Sequence, residues 1–103
     1  MQIAYFHPDI KDFFNTLEDK VSAKVSNTVQ LLSMKEYHLS MPYSKKIEKD
    51  LYELRISSLQ NIRVFYTFNK GQIVLLHAIN KKTQKLELND LKTARNRLAL
   101  LHS

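Results

Sequence analysis

Cationic residues recur in separate segments of the chain, at spacings that bring them to one surface. Arg55 and Arg63 lie in two consecutive segments in which apolar and polar residues alternate with period two. Neighbouring antiparallel strands place alternate residues on shared faces, so we expect the two guanidinium groups to project the same way. Lysines precede or follow these segments at Lys45, Lys46, Lys49, Lys81, Lys82 and Lys85. This convergence predicts a surface that binds phosphate groups, whereas the two arginines alone would indicate only a solvated sheet face.

Aromatic residues accompany these cations, a combination that suits single-stranded RNA. Stacking of a base on an aromatic ring contributes about 1 to 3 kcal/mol. The rings in the relevant segments are Tyr43, Tyr52, Phe65 and Tyr66. Core packing is the commoner role for each ring, and Phe65 and Tyr66 have opposite parity, so at most one of them faces a ligand. We select Tyr66 as the stacking candidate.

Acid–base and metal chemistry have little support in the other residues. The histidines are widely spaced and the chain has no cysteine, so no metal-ligand pattern is present and no cofactor is expected. We interpret His77, which lies in an apolar segment, as a core residue, and Glu53 as an ion-pair partner of the arginines. The single glycine excludes a glycine-rich phosphate loop. No residue is assigned as a general base.

Length and composition indicate one globular domain over residues 1–103. A net charge of +6 and a pI near 9.6 favour encounters with polyanions such as nucleic acid. No apolar stretch reaches the roughly 18 residues of a membrane span, and Met1–His7 lacks the pattern of a signal peptide. Together with the absence of cysteine, these features lead us to expect a cytoplasmic protein.

The N-terminal half predicts a strand followed by two helices. Gln2–Phe6 alternates as a strand does, and from Ile10 to Glu36 apolar residues recur at helical spacing. One helix of that length is unusual in so small a domain, so we predict a helical hairpin with its break near Glu18 to Lys20. The stretch Tyr37 to Asp50 contains a proline and lysines without periodicity and is predicted to be a basic loop.

The C-terminal half predicts an antiparallel meander and a final helix. Three strands are expected around Tyr52–Ile56, Ile62–Phe68 and Ile73–Ile79, with Gly71 in the turn before the third, where φ is positive. The third is apolar almost throughout and should be central. Leu91, Ala94, Leu98 and Leu101 then share one face of a basic amphipathic helix. The fold class is therefore α+β, with an N-terminal strand and helical hairpin packed on the meander.

Three segments in order, Leu51–Ile56, Asn61–Tyr66 and His77–Lys85, together resemble the HigB-like, phage-derived branch of the RelE/ParE toxin superfamily. The resemblance covers nearly the whole chain, because the order of elements also agrees. It implies the toxin of a type II toxin–antitoxin system, a metal-independent mRNA interferase that cuts the messenger in the ribosomal A site. The family often has a glycine just before the first segment, where this chain has Asp50, so the loop geometry is expected to differ there.

The resemblance also implies residue roles and partners. Arg63 matches the family's strand arginine and would stabilise the transition state, while Arg55 would bind phosphate beside it. Lys81, Lys82 and Lys85 match the basic run after the last strand, and one of them would protonate the leaving group. The 2′-hydroxyl would attack the neighbouring phosphate and leave a cyclic phosphate. The implied partners are the ribosome with its mRNA and a cognate antitoxin, often a helix-turn-helix protein in this branch.

Two other interpretations remain open from the sequence. The chain could be a toxin-like module that binds RNA or a protein without cleaving, which the weak acid–base equipment favours. It could instead bind DNA through the basic terminal helix. The latter is disfavoured because Leu91, Ala94 and Leu98 tie that helix to the core, and no second helix forms a recognition pair with it.

Overall fold

The computed structural model describes residues 1–82 and 88–103, which fold into a five-stranded sheet flanked by helices. The elements are β1 (Gln2–Tyr5), α1 (Pro8–Asn15), α2 (Asp19–Lys35), a 3₁₀ turn (Glu36–His38), β2 (Ser44–Glu48), β3 (Leu51–Ser57), β4 (Asn61–Asn69), β5 (Gln72–Asn80) and α3 (Leu88–His102). The strand order is β1-β5-β4-β3-β2, with β1 parallel to β5 and the other pairs antiparallel. The α+β prediction is confirmed. Of the helices in these residues, none has the length and apolarity of a membrane span.

The helical hairpin forms as the sequence predicts, with its break at residues 16–18, just before the predicted position. Pro8 occupies the first turn of α1, and the His7 side chain caps that turn by accepting a hydrogen bond from the backbone N–H of Asp9 at 3.0 Å. The chain leaves α1 after Asn15 and returns to helical geometry at Asp19, with Glu18 extended. The helical spacing of its buried residues then turns one face of α2 toward the sheet.

The two faces of the sheet are buried by different helices. The α1–α2 hairpin covers one face, in a core built from Ile10, Val21, Val25, Leu32, Leu54, Ile56, Ile62, Val64, Tyr66, Ile73, Leu75 and Ala78. Helix α3 covers part of the other face through a smaller cluster of Leu51, Phe65, Val74, Leu76 and Ala94. Strand β5 lies between β1 and β4 and is buried on both faces at its centre, as predicted. The sheet face beside α3 is therefore covered only in part.

The prediction of a loop from Tyr37 to Asp50 is wrong for its second half. Ser44–Glu48 forms β2, which pairs antiparallel with β3 and adds a fourth strand to the meander. As the outermost strand it has one paired edge and mostly exposed side chains, so no apolar alternation marks it in the sequence. The segment that was expected to be a basic loop instead holds its lysines on a strand.

Two turns of the meander use left-handed backbone. Gly71 has φ +74°, as its place in the β4–β5 turn predicted. Asp50, between β2 and β3, has φ +60°. Aspartate adopts this left-handed conformation more readily than most residues with a side chain, so the turn forms here without a glycine.

Candidate phosphate-binding site

Arg55 on β3 and Arg63 on β4 are direct cross-strand partners on the sheet face beside α3. Glu53, two residues before Arg55 on the same strand, lies between the two guanidinium groups. Its Oε1 atom is 3.4 Å from Nε of Arg55 and 3.8 Å from Nε of Arg63. The predicted shared face and the predicted ion-pair role of Glu53 are confirmed. One carboxylate serves two guanidinium groups, so the cluster retains one net positive charge.

The Arg63 guanidinium is buried with only part of its hydrogen-bonding capacity used. The residue is 7% exposed, and its Nη1 donates to the carbonyl oxygen of Ile62 at 3.1 Å. Within residues 1–82 and 88–103, its buried Nε has no hydrogen-bond acceptor. Desolvation by burial lowers the pKa of Arg63, the charge of Glu53 opposes that effect and the charge of Arg55 adds to it. An anion that accepted hydrogen bonds from the Arg63 guanidinium would relieve part of the free-energy cost of burying this cation.

The three lysines in and after β2 lie in different places relative to the arginines. Lys45 is the cross-strand partner of Glu53 and so shares the arginine face, whereas Lys46 pairs with Tyr52 and lies on the opposite face. Lys49 is exposed in the turn after β2. The structure thus brings only Lys45 of this group beside the arginines.

The basic run after β5 begins at the same end of the sheet as the arginines. The backbone N–H of Lys81 donates to the carbonyl oxygen of Asn61 at 2.7 Å, which extends the β4–β5 ladder by one step. Lys81 is therefore held beside Asn61, which begins β4 and lies two residues before Arg63. The exposed Lys82 follows Lys81. Lys85 lies outside the described residues.

Tyr66 does not join this site, which corrects its choice as a stacking residue. It is 1% exposed and belongs to the core under the helical hairpin, where its hydroxyl forms a hydrogen bond with Ser44. Burial raises the pKa of this tyrosine. Phe65 does share the arginine face, but α3 covers it. Neither ring of the Phe65–Tyr66 pair is available to a base.

His77 and Asp90 form a side-chain hydrogen bond that the sequence did not indicate. Nε2 of His77 on β5 is 2.9 Å from Oδ1 of Asp90 in the first turn of α3, and the histidine ring stacks on Phe65. His77 is thus half-buried and partnered, in agreement with its interpretation as a packed residue. The contact links the strand that leads to Lys81 and Lys82 with the helix that covers this face. Across the described residues, no group of three or more His, Asp or Glu side chains could hold a metal ion.

Comparison with known proteins adds the family. The family described as phage derived protein Gp49-like (DUF891) matches residues 12–99 of the chain, which include both arginines, Glu53 and the lysines. A search of curated proteins finds no significant match. The chain therefore belongs to the phage-derived Gp49-like family, part of the RelE/HigB toxin-like group.

Proposed function

We propose that this protein is the toxin of a type II toxin–antitoxin system, of the HigB-like branch, and that it cleaves mRNA on the ribosome. The observation that carries the proposal is the Arg55–Arg63 pair, which shares a single carboxylate on a partly open sheet face beside Lys45 and Lys81. Such a cluster fits a group that carries more than one negative charge, as a phosphate does when it becomes a phosphorane.

The chemistry assigned to the site is attack of the 2′-hydroxyl on the adjacent phosphorus. The bond from the 2′-oxygen to phosphorus forms as the bond from phosphorus to the 5′-oxygen breaks, and the proton of the 2′-hydroxyl passes to solvent water. The products are a cyclic phosphate and a 5′-hydroxyl. Arg63 stabilises the extra charge in the transition state, because fixed donors in a desolvated site need no reorganisation when that charge develops. Arg55 binds the phosphate beside it, and Lys81 or Lys82 donates the proton that the 5′-oxygen takes up.

Glu53 has a supporting role in this mechanism. Both arginines contact its carboxylate, so it fixes where their guanidinium groups lie along the two strands. The other expected partners are carried forward as part of the proposal: the ribosome, its mRNA and a cognate antitoxin with a helix-turn-helix domain.

The second candidate is a binding module that does not cleave. The small exposed fraction of Arg63 favours it, since a guanidinium so deeply placed fits a structural ion pair as well as a catalytic group. In that case RNA would contact the more accessible Arg55 and Lys45, and Arg63 would contribute to stability alone.

The deciding experiment is induced expression in growing bacteria with mapping of mRNA 5′ ends. The variants are Arg63→Ala and Arg55→Ala, with Arg95→Ala as control, because Arg95 is an exposed arginine on α3 that pairs only with Glu48 in the described residues. We expect growth arrest and new cuts within translated codons for wild type and Arg95→Ala, and their loss in Arg63→Ala. Thermal unfolding of each purified variant separates lost activity from lost fold. Accumulation of folded wild-type protein without new 5′ ends would reject cleavage and leave the binding module.

A further inference from the structure

Four aromatic rings contact one another in series from the core to the surface on the sheet face opposite the arginines. Tyr66 lies at the buried end, with the ring of Tyr52 parallel to it at 5.3 Å between centroids. Phe68 meets both of these rings edge-on. Tyr37 then packs on Phe68 at 4.2 Å with an interplanar angle of 32°. This aromatic stack (Tyr37, Tyr52, Tyr66, Phe68) ends in a ring that is 65% exposed.

The backbone that presents Tyr37 is held in an unusual conformation. Glu36 ends α2 with φ +54° and ψ −125°, a region that residues with a side chain rarely adopt. The N-terminal amine of Met1 pairs with the Glu36 carboxylate at 2.9 Å and donates to the carbonyl oxygen of Ser33 at 2.9 Å. These two contacts of Met1 tie the end of α2 to the residue that precedes β1, next to the position of Tyr37.

We propose that the aromatic stack is a second nucleic-acid site, on which an unpaired base of single-stranded RNA stacks against the open face of Tyr37. A base would pack on a ring that already lies against Phe68, so less order has to be gained when RNA binds. This site is on the other face of the sheet from Arg55 and Arg63, and its existence does not require that the protein cleaves RNA.

The charges around the stack favour RNA over a protein partner. Nζ of Lys46 lies 6.0 Å from the centroid of the Tyr52 ring. Lys70, two residues after Phe68, lies in the turn between β4 and β5. Lys35 precedes Glu36, whose own charge is taken up by the N-terminal amine. One ring of the group therefore has a cation against it, as suits a base with its phosphates, whereas the core of a protein interface is depleted of lysine.

The test measures binding of a fluorescein-labelled octauridylate by anisotropy to the purified full-length protein. We expect Tyr37→Ala to weaken binding by at least about fivefold and Tyr37→Phe to restore it, as stacking on a ring predicts. Lys46→Ala should weaken binding and lower the slope of log Kd against log salt by about 0.7. Tyr5→Ala is the matched control, since Tyr5 is also an exposed tyrosine beside a phenylalanine and a lysine, but its ring meets Phe14 edge-on, at an interplanar angle of 71°.

A second readout is intrinsic fluorescence, which reports only tyrosine because the chain has no tryptophan. Octauridylate should quench this fluorescence in wild type and lose most of that effect in Tyr37→Ala. Equal affinity of wild type and Tyr37→Ala, or an equal loss in Tyr5→Ala, would overturn the proposal, even if Tyr37→Ala abolished binding to a protein. Loss of mRNA cuts in Arg63→Ala tests the proposed function separately, so either conclusion can fail while the other stands.

Discussion

Replacement of Glu53 by glutamine is expected to be among the most destabilising polar substitutions in this protein. Glu53 is 5% exposed, and its carboxylate is the only acidic partner that the described residues give to Arg63. The substitution keeps the shape of the side chain and removes its charge. Arg63 and Arg55 would then repel one another without compensation, with Arg63 still buried.

The size of the effect follows from two opposing contributions. At separations of 3.4 and 3.8 Å, each ion pair contributes roughly 4 to 5 kcal/mol of attraction at an effective dielectric constant of 20. Desolvation of the three groups offsets much of this attraction, and loss of one partner of a buried pair costs about 3 to 5 kcal/mol. Since both contacts of Glu53 are longer than a good charge-assisted hydrogen bond, we expect the lower end, about 3 kcal/mol. For a domain of this size, that loss lowers Tm by at least about 10 °C.

The assay is urea and thermal unfolding of wild type, Glu53→Gln, Arg63→Met and the double variant. The double variant should be more stable than Glu53→Gln alone, because methionine removes the charge that the first change leaves unpaired. Glu48→Gln is the control: its pair with Arg95 is exposed and should contribute less than about 1 kcal/mol. If Glu53→Gln matches the control, or if the two changes simply add, the carboxylate does not hold the arginines.

Two further predictions concern groups whose pKa the fold changes. A hydrogen bond from Arg97 lowers the pKa of Asp9 below 3.8. The Asp9 carboxylate therefore stabilises the fold above pH 3.8, and this contribution is lost as the pH falls through the lower pKa of the folded state. Asp9→Asn should flatten that acid dependence in unfolding titrations and lower the stability at neutral pH by less than about 1 kcal/mol. Burial raises the pKa of Tyr66, so stability should fall as pH rises above 10. Tyr66→Phe should remove that fall in unfolding titrations and cost about 1 to 3 kcal/mol by leaving Ser44 unpaired.

The sequence predicts most of the fold because burial imposes a period on each element. The three strands follow from apolar spacing, and Gly71 follows from the demand for positive φ. The hairpin break follows instead from the length that a single helix would have. The sequence did not predict β2 because only Ser44 is buried in it, so its apolar residues show neither a helix period nor a strand period. Asp50 differs in kind: its conformation depends on the turn that joins β2 to β3, and a sequence shows only that glycine is missing there.

The alternation of residues along each strand predicts which side chains share a face of the sheet. It does not predict which of them are buried where a helix covers that face. It places Arg55 and Arg63 side by side, and it would also have separated Lys45 from Lys46 had β2 been recognised. It correctly sets Phe65 and Tyr66 on opposite faces, yet both are buried, because α3 covers one and the helical hairpin the other. Which part of a face stays open depends on where distant elements pack, and the spacing within a strand carries no information on that.

The buried arginine also bears on why such a site would be retained. A guanidinium with an unused donor and a second cation beside it costs stability, and well-packed apolar residues in place of such a charge cluster are often neutral or stabilising. If Arg63 served the fold alone, Glu53→Leu with Arg63→Met would be a gain at no cost in function. If Arg63 binds phosphate, the same double variant should unfold at the wild-type temperature or above it and cut no mRNA. Retained stability with lost cleavage would mark the cluster as functional, whereas retained stability with retained cleavage would mark Arg63 as serving the fold alone.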